Sequence, residues 1–446
     1  MFTQLFNSID FIVVPIIMAL IIFVLNIIKR KQPLEIQHYF LKGYCLRIFG
    51  TFSLTIVYQY VFKYGDTFGY YNIIQTISSF FAKSPGAWLD IMFKDPLGDN
   101  PNVLACIDLL ESGELPMTAV IFKIPENLFI CKVASFLNII CFNSYLGMAL
   151  FFGVFSFLGC WYIFKTFIHI FPGYEKEFAW FCLYLPSLWF WCNGILKDPL
   201  SIFALGLLFY TFFLKQRSLL YRIVIIIFSV YMLLHIKSYI FYAFAMALVL
   251  ALIFVNFRGF NIIGKLISLI FVAILLIFIY PLLSDFVIGS FEDITTQSQF
   301  FIEEFSKNRT EGDSTVIPVF DPSVLGFLKL SLGGLITVFL RPYPWELNKI
   351  IYIFLILENL LLYVIIFKSI KKGPVDFKKN HIFLANFCIF FFIFLGIIIG
   401  VTTFNLGTIA RYRVPALPFL FAGIFSIKLV NRKKRLSKSN YVVNSS

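Results

Sequence analysis

Long apolar runs, separated by short polar segments, are the feature that most limits what this chain can fold into. Among its 446 residues, 60% are hydrophobic and only 14% are charged, whereas a soluble domain carries roughly 25% charged residues. Many of the runs approach the length of about 20 residues that a helix needs to cross a bilayer. We therefore expect an all-α, polytopic transmembrane helical bundle, folded as a single integral membrane domain over residues 1–446.

About 11 segments are apolar enough to be predicted as membrane spans, although several are short. A further apolar segment, Val324 to Leu340, is interrupted by Lys329 and by two adjacent glycines. Counting it as a span would put the later basic loops on the wrong side of the membrane, so we interpret it as re-entrant or interfacial. The predicted spans are Ile9 to Ile28, Arg47 to Phe62, Tyr145 to Phe164, Phe178 to Cys192, Pro199 to Leu214, Ile223 to His235, Tyr239 to Val255, Leu266 to Leu283, Lys349 to Phe367, Ile382 to Ile399 and Val414 to Val430.

Basic residues concentrate in the loops between alternate spans, and this asymmetry orients the chain. The loops predicted to be cytoplasmic, of which the first is Lys29 to Arg47, hold 23 of the 37 Lys and Arg residues but only four of the 24 acids. Such a bias is typical of cytoplasmic loops, so the net charge of +13 does not indicate a nucleic-acid partner. The C-terminus is then cytoplasmic, and we interpret the basic tail at 431–446 as a stop that contacts membrane lipid headgroups.

Two long polar excursions fall on the opposite, outer side. The first, at about 63–143, is rich in acids and has only short apolar stretches, so we expect helices that lie on the membrane. The second, at about 284–348, begins with an acidic stretch from Ser284 to Ser323 that contains no span. We interpret this stretch as a mobile outer loop or lid, because it is polar and too long for a tight connection.

The second excursion ends in Arg341-Pro-Tyr-Pro-Trp-Glu346, which combines a cation, an acid, two prolines and two aromatic residues. The prolines exclude a continuing helix. Tyr343 and Trp345 are residue types that settle at the lipid–water boundary. The segment is either an aromatic anchor with a snorkelling arginine or a ligand-binding loop in which Arg341 and Glu346 take part.

Other charged residues at predicted outer helix mouths form, with this segment, a set suited to binding a phosphate beside a base. Asp66 is the candidate general base, with a helix N-cap as the alternative. Lys197 and Asp198 either bind a phosphate or form a local pair, and His235 is either a ligand or a structural residue at the mouth. The remaining candidates for phosphate binding are Lys237, Arg411 and Arg413.

Arg411 and Arg413 are separated by one residue, so they cannot point the same way on a helix. One is expected to face a ligand while the other closes the helix mouth. Glu358 lies within an apolar run, where an ionisable residue is a functional hypothesis by default. The alternative for Glu358 is a protonated or internally paired side chain that ties two helices together.

Three motifs carry a resemblance to known proteins. They are Leu185-Pro-Ser-Leu-Trp-Phe-Trp191 running into Gly194-Ile-Leu-Lys-Asp198, the segment Arg341 to Glu346, and Asn405-Leu-Gly-Thr-Ile-Ala-Arg-Tyr-Arg413. With these motifs the chain resembles poorly characterised membrane proteins of bacterial polysaccharide biosynthesis loci. Its architecture resembles the GT-C superfamily, multi-span glycosyltransferases that use polyprenyl-phosphate-linked sugars on the outer face of the inner membrane.

The resemblance implies a multi-pass glycosyltransferase of the bacterial inner (plasma) membrane that moves a sugar from a polyprenyl-phosphate-linked donor to a glycan or lipid acceptor. In that scheme Asp66 is the base, while Arg341, Arg411 and Arg413 hold the lipid phosphate. Tyr343 and Trp345 would form a stacking face for the sugar or the prenyl chain. No cofactor is implied, and a divalent metal lacks support because no second acid accompanies Asp66 nearby in the sequence.

Two alternatives stay open at the level of the sequence. O-antigen or exopolysaccharide polymerases and ligases also have many spans, outer-face arginines and a large late outer loop. A lipid-linked glycan flippase, or a non-catalytic partner in an assembly complex, would bind the same lipid without bond chemistry.

Overall fold

The structure is a computed structural model that describes residues 4–63, 65–96, 98–113, 117–214, 218–256, 324–343, 345, 351–370, 379–403 and 406–426. Within these ranges every regular element is helical, which confirms the all-α prediction for this part of the chain. The chain forms two compact units, Met1–Phe241 and Tyr242–Ser446. The expectation of one integral membrane domain stays a prediction.

Five of the described helices are long and apolar enough to cross a membrane, judged by length and composition. They support a multi-pass membrane protein, but the expected number of about 11 spans is not confirmed. The five helices are Asp10–Arg30, Leu34–Phe62, Tyr145–Ile170, Leu219–Val255 and His381–Thr402.

The first unit is a succession of helices with short connections. In chain order they are α1 (Asp10–Arg30), α2 (Leu34–Ile56), α3 (Asp66–Lys83), α4 (Pro85–Phe93), α5 (Pro101–Glu111), α6 (Met117–Lys123), α7 (Pro125–Cys141), α8 (Tyr145–Ile170), α9 (Glu175–Ala179), α10 (Pro186–Trp191), α11 (Lys197–Phe213) and α12 (Leu219–Asn256), the last of which continues into the second unit. Ser84, Asn100 and Ser144 accept hydrogen bonds from backbone N–H groups of the helices that follow them. These caps satisfy donors that a helix N-terminus leaves open, and they explain where α4, α5 and α8 begin.

The helices expected in the first outer excursion are present. Residues 63–143 contain α3 to α7, and each of these helices buries apolar side chains such as Ile74, Val103 and Ile130. The indole Nε1 of Trp88 on α4 donates to Ser135 Oγ on α7 at 3.0 Å, which ties two of these helices together. That the helices lie on the membrane stays a prediction.

The expected span from Phe178 to Cys192 is wrong as a continuous helix. This stretch contains the end of α9, a π-helical segment Trp180–Tyr184, and α10, which begins at Pro186. Leu185 has φ −55° and ψ 127°, an extended conformation that the following proline favours. Hydropathy alone missed the break because the proline lies inside an apolar run.

The second span begins earlier than the sequence indicated. The stretch from Lys29 to Arg47 was expected to be a cytoplasmic loop, but α2 starts at Leu34. Arg47 therefore lies inside the helix, where its side chain is only 1% exposed. A basic residue next to an apolar run normally indicates a loop, but Arg47 is part of α2 and its side chain is buried.

The second unit contains α13 (Val324–Leu340), α14 (Ile351–Ile370), α15 (Lys379–Thr402) and α16 (Leu406–Tyr412), followed by a 3₁₀ turn Val414–Ala416 and helical residues 417–426. The segment expected to be re-entrant or interfacial is α13, which continues as a helix through its two glycines. A Cβ atom on Gly334 would lie 2.7 Å from the carbonyl carbon of Gly400. The two backbones thus meet directly, as small residues allow between membrane helices.

Several expectations concern residues outside the described ranges. These are the acidic stretch from Ser284 to Ser323, the span from Leu266 to Leu283, Glu346 and the basic tail at 431–446.

Candidate functional site

The first unit contains a buried interruption between α10 and α11. Residues 192–196 are not helical, yet all of them are buried. Gly194 has φ +67°, a conformation that glycine adopts without strain, and the Ile195 N–H donates to the Tyr145 hydroxyl at 3.4 Å. Buried non-helical backbone leaves polar groups that need partners within the protein, so this interruption is a candidate functional feature.

A second interruption lies in α12, at Lys237, whose φ of −151° and ψ of 77° are not helical. The Lys237 Nζ donates to Asp198 Oδ1 at 2.6 Å, and the two side chains are 3% and 0% exposed. The ion pair therefore joins the start of α11 to the break in α12. The sequence left Asp198 either to take part in phosphate binding or to form a local pair, and it made Lys237 a candidate for phosphate binding. In the structure the charges of Asp198 and Lys237 neutralise each other.

Arg47 extends this buried polar region, and sequence reasoning missed it. Its Nη2 donates to Cys160 Sγ at 2.9 Å, whereas Nε and Nη1 have no hydrogen-bond partner among the described residues. The thiol of Cys192 interacts electrostatically with Arg47 and Cys160 as well as with both members of the ion pair. The sequence does show Arg47 as a cation at the edge of an apolar run, but the prediction placed it at the end of the cytoplasmic loop from Lys29 to Arg47.

The other candidates of the first unit are less enclosed. Lys197 is half-buried at the start of α11 and interacts electrostatically with Cys131 on α7. His235 is exposed, and its Nδ1 lies 2.9 Å from the Tyr231 carbonyl oxygen of its own helix. This contact fits the structural alternative for His235.

Asp66 is exposed and begins α3 directly after Gly65, which occupies the N-cap position. The N-cap alternative for Asp66 is therefore wrong, although a carboxylate in the first helical turn still interacts favourably with the helix dipole. Gly65 has φ +120°, so it sets the angle at which the chain enters the helix. An exposed carboxylate at this place can accept a proton from a bound hydroxyl.

A polar network holds α3 against the ends of α1 and α8. The Tyr71 hydroxyl donates to the Asn143 carbonyl oxygen at 2.5 Å and accepts from Asn7 Nδ2 at 2.8 Å. Burial raises the pKa of Tyr71 to about 12, so its hydroxyl remains a donor at neutral pH. Asp10, itself buried, accepts from Ser144 Oγ at 2.5 Å. The network fixes the helix that carries Asp66.

In the second unit, side chains from other elements donate hydrogen bonds to backbone carbonyl groups at the end of α13 and at Arg341. They hold the segment that begins at Arg341, which we call the clamped segment. Arg413 Nη1 donates to the carbonyl oxygens of Val338 at 2.8 Å and Arg341 at 3.0 Å. From α14, Asn359 Nδ2 donates to the same Arg341 carbonyl oxygen at 3.0 Å, and the Tyr363 hydroxyl donates to the Leu340 carbonyl oxygen at 2.6 Å. These donors satisfy the carbonyl groups that the end of α13 leaves open.

The clamped segment presents an aromatic pair beside a cation. The rings of Tyr343 and Trp345 stack, with centroids 4.9 Å apart and an interplanar angle of 18°. Trp345 is 79% exposed, and the Arg341 side chain is half-buried. A guanidinium next to an exposed aromatic face can bind an anion that carries an apolar or sugar group.

The two arginines near the end of the chain differ as the sequence predicted. Arg413 is 2% exposed and donates hydrogen bonds to backbone carbonyl groups at the C-terminal end of α13, so it caps that helix end. Arg411 is half-buried, with its guanidinium 6.0 Å from the Tyr412 ring centroid. Glu358 on α14 is buried, and both alternatives for this glutamate, protonated or internally paired, stay predictions. Arg411 stays a candidate phosphate ligand.

The candidates thus fall into two sets, one in each unit. Asp66, Lys197, Asp198, His235 and Lys237 belong to the first unit, and Arg341, Tyr343, Trp345, Arg411 and Arg413 belong to the second. Among the described residues, no three His, Cys, Asp or Glu side chains are grouped as metal ligands would be. Comparison with protein-family models, curated proteins and solved structures gives no match to this chain.

Proposed function

We propose that this protein is a membrane glycosyltransferase, which transfers a sugar from a polyprenyl-phosphate-linked donor to a glycan or lipid acceptor at the outer face of the bacterial inner membrane. The observation that carries the proposal is the clamped segment of the second unit. It presents the cation Arg341 and the exposed Tyr343–Trp345 stack from a chain whose long helices suit a membrane. A cation beside an aromatic face suits a lipid that combines a phosphate with a sugar and an apolar chain.

The chemistry needs one base and at least one cation. The acceptor hydroxyl oxygen attacks the anomeric carbon of the donor sugar, and Asp66 takes the hydroxyl proton. The bond between the anomeric carbon and the phosphate oxygen breaks, and the polyprenyl phosphate leaves with the electron pair. Arg341 and Arg411 of the second unit stabilise the charge that develops on this phosphate. The protein regains its starting state when Asp66 releases the proton to water.

A flippase for a lipid-linked glycan is the second candidate, and one observation favours it. Interrupted helices that meet at a buried charged site are typical of transporters, and the breaks at residues 192–196 and Lys237 are joined by the Asp198–Lys237 ion pair. A polymerase or ligase would use the same transfer chemistry with a larger acceptor. The acceptor therefore decides between these enzymes, whereas bond formation separates all of them from a flippase.

Two substitutions test the transferase in purified full-length protein reconstituted with sugar-charged polyprenyl phosphate and acceptor extract. Asp66→Asn should lower the transfer rate by roughly a hundredfold or more while carrier binding is kept, because the amide has the same shape but accepts no proton. Arg411→Ala should weaken carrier binding by about 1.5 to 3 kcal/mol, the range for a hydrogen bond to a charged group. Asp108→Asn, at another exposed acid of the same excursion, is the matched control and should change neither quantity.

The outcomes separate the candidates. A folded Asp66→Asn protein with the parent transfer rate would remove Asp66 from the mechanism. If the parent protein binds the carrier but transfers nothing to any acceptor, and instead moves the carrier across proteoliposome membranes, the flippase is the better assignment.

A further inference from the structure

We propose that Arg413 is a positioning residue, which acts through the Arg341 carbonyl group to hold the Arg341 side chain and the Tyr343–Trp345 stack in their binding geometry. The inference deepens the proposed function and rests on it for the identity of the ligand. It changes the assignment of Arg413 from a phosphate ligand to a residue that orients the ligand-binding segment.

The geometry of the Arg413 side chain carries the first step. A residue that is 2% exposed cannot meet a lipid phosphate from outside, and its Nη1 is already used by two backbone carbonyl oxygens. These carbonyl groups belong to Val338 in the last turn of α13 and to Arg341, directly after the helix ends. A guanidinium at this place complements the negative end of the helix dipole.

The second step concerns the shared acceptor. The Arg341 carbonyl oxygen receives hydrogen bonds from both Arg413 and Asn359, and Tyr363 donates to the neighbouring carbonyl oxygen of Leu340. Three donors from two other elements therefore converge on consecutive peptide groups. They fix the direction in which the chain leaves the helix, and hence where the Arg341 side chain and the aromatic stack lie.

Hydrogen exchange in purified full-length protein in lipid nanodiscs tests this without any substrate. The Arg341 N–H bonds to the Thr337 carbonyl oxygen at 3.1 Å, so its exchange reports on the end of α13. We expect Arg413→Met to speed exchange in a peptide covering 336–343 at least tenfold. Asn359→Leu, which removes a second donor to the Arg341 carbonyl oxygen, should act in the same direction, and Arg413→Lys should partly restore protection. Arg411→Ala and Lys329→Met, the latter at an exposed position of α13, should leave the exchange unchanged.

Binding of polyprenyl monophosphate to the same nanodiscs completes the test. Arg413→Met should weaken binding in step with faster exchange, whereas Arg411→Ala should weaken binding alone. Unchanged exchange in a folded Arg413→Met protein would overturn the inference. If that variant does not fold, Asn359→Leu removes one donor to the same carbonyl oxygen and must speed exchange for the inference to stand. If Arg413→Met exchanges faster than the parent protein but the parent binds no polyprenyl phosphate, the positioning stands and the proposed function is rejected.

Discussion

Lys237 Nζ lies 2.6 Å from Asp198 Oδ1 in an ion pair that is shielded from solvent on both sides. The two residues belong to different helices and are 39 positions apart, yet each lies at the point where regular structure is interrupted. Desolvating two charges costs several kcal/mol each, and the pair offsets that cost only while both partners are present. The pair therefore holds the two interruptions together.

Removing either partner should destabilise the first unit strongly. We expect Lys237→Met or Asp198→Ala to cost about 3 to 5 kcal/mol, because each leaves an uncompensated buried charge. The double variant should be less destabilised than either single variant, since no buried charge remains. Thermal unfolding in detergent measures the three variants against the parent protein.

Lys123 provides the control for this prediction. It pairs with Glu111 at 3.2 Å, but both side chains are exposed, at 43% and 54%. Lys123→Met should therefore cost less than about 1 kcal/mol. Equal losses at Lys123 and Lys237, or an additive double variant, would show that the buried pair has no special role.

Two adjacent glycines of α13 should respond differently to the same substitution. A Cβ on Gly334 would lie 2.7 Å from the Gly400 backbone, whereas one on Gly333 would meet nothing within 4 Å. Gly334→Ala should force α13 and α15 apart and lower the unfolding temperature. Gly333→Ala should be neutral or stabilise the helix by roughly 0.5 to 1 kcal/mol, because alanine loses less conformational entropy there. A similar response at both positions would contradict the close approach.

Thiol chemistry should report on the packing of the outer excursion. Cys106 on α5 and Cys141 on α7 are buried, and burial raises the pKa of each thiol to about 12. Because the thiolate is the reactive form, neither cysteine should react measurably with a maleimide at pH 8 while the protein is folded. Both should react once the protein is unfolded in denaturant.

An engineered thiol is the matched control for these cysteines. Ser112 follows α5 directly and is exposed, so Ser112→Cys should react quickly in the folded protein. Rapid labelling of Cys106 before unfolding would mean that α5 does not pack as the structure has it.

Long apolar runs and composition were sufficient to predict the helical class and several elements. The helices beginning at Asp10 and Tyr145 start within one residue of the expected spans, because long apolar runs there coincide with clear boundaries. Pro186 and Arg47 were harder, since a proline or a cation inside an apolar run can mark either a loop or a buried interruption. A hydropathy average includes such residues without resolving them, so it cannot distinguish a loop from a buried interruption.

The same limit applies to the candidate site, where the residue types could be predicted from the sequence but the contacts between helices could not. Residue type alone identified the charged side chains, and it correctly indicated that Arg411 and Arg413 would differ. It did not predict the ion pair between Lys237 and Asp198, because that contact depends on which helices pack together. The capping of the Arg341 carbonyl group by Asn359 was likewise not predictable, as it involves a backbone atom and a tertiary contact.

The sidedness of the chain is the remaining prediction, and the proposed function depends on it. The uneven distribution of Lys and Arg predicts that Asp66, Lys197, Arg341 and Arg411 lie on the outer side of the membrane. Lys371 and Arg432, which are outside the described residues, should lie on the cytoplasmic side. We expect single cysteines at the first four positions to react with a membrane-impermeant maleimide added to intact cells, and cysteines at Lys371 and Arg432 to react only after the cells are opened. Labelling of cysteines at 341 and 371 from the same side would contradict the predicted topology, and with it the transfer reaction proposed for the outer face.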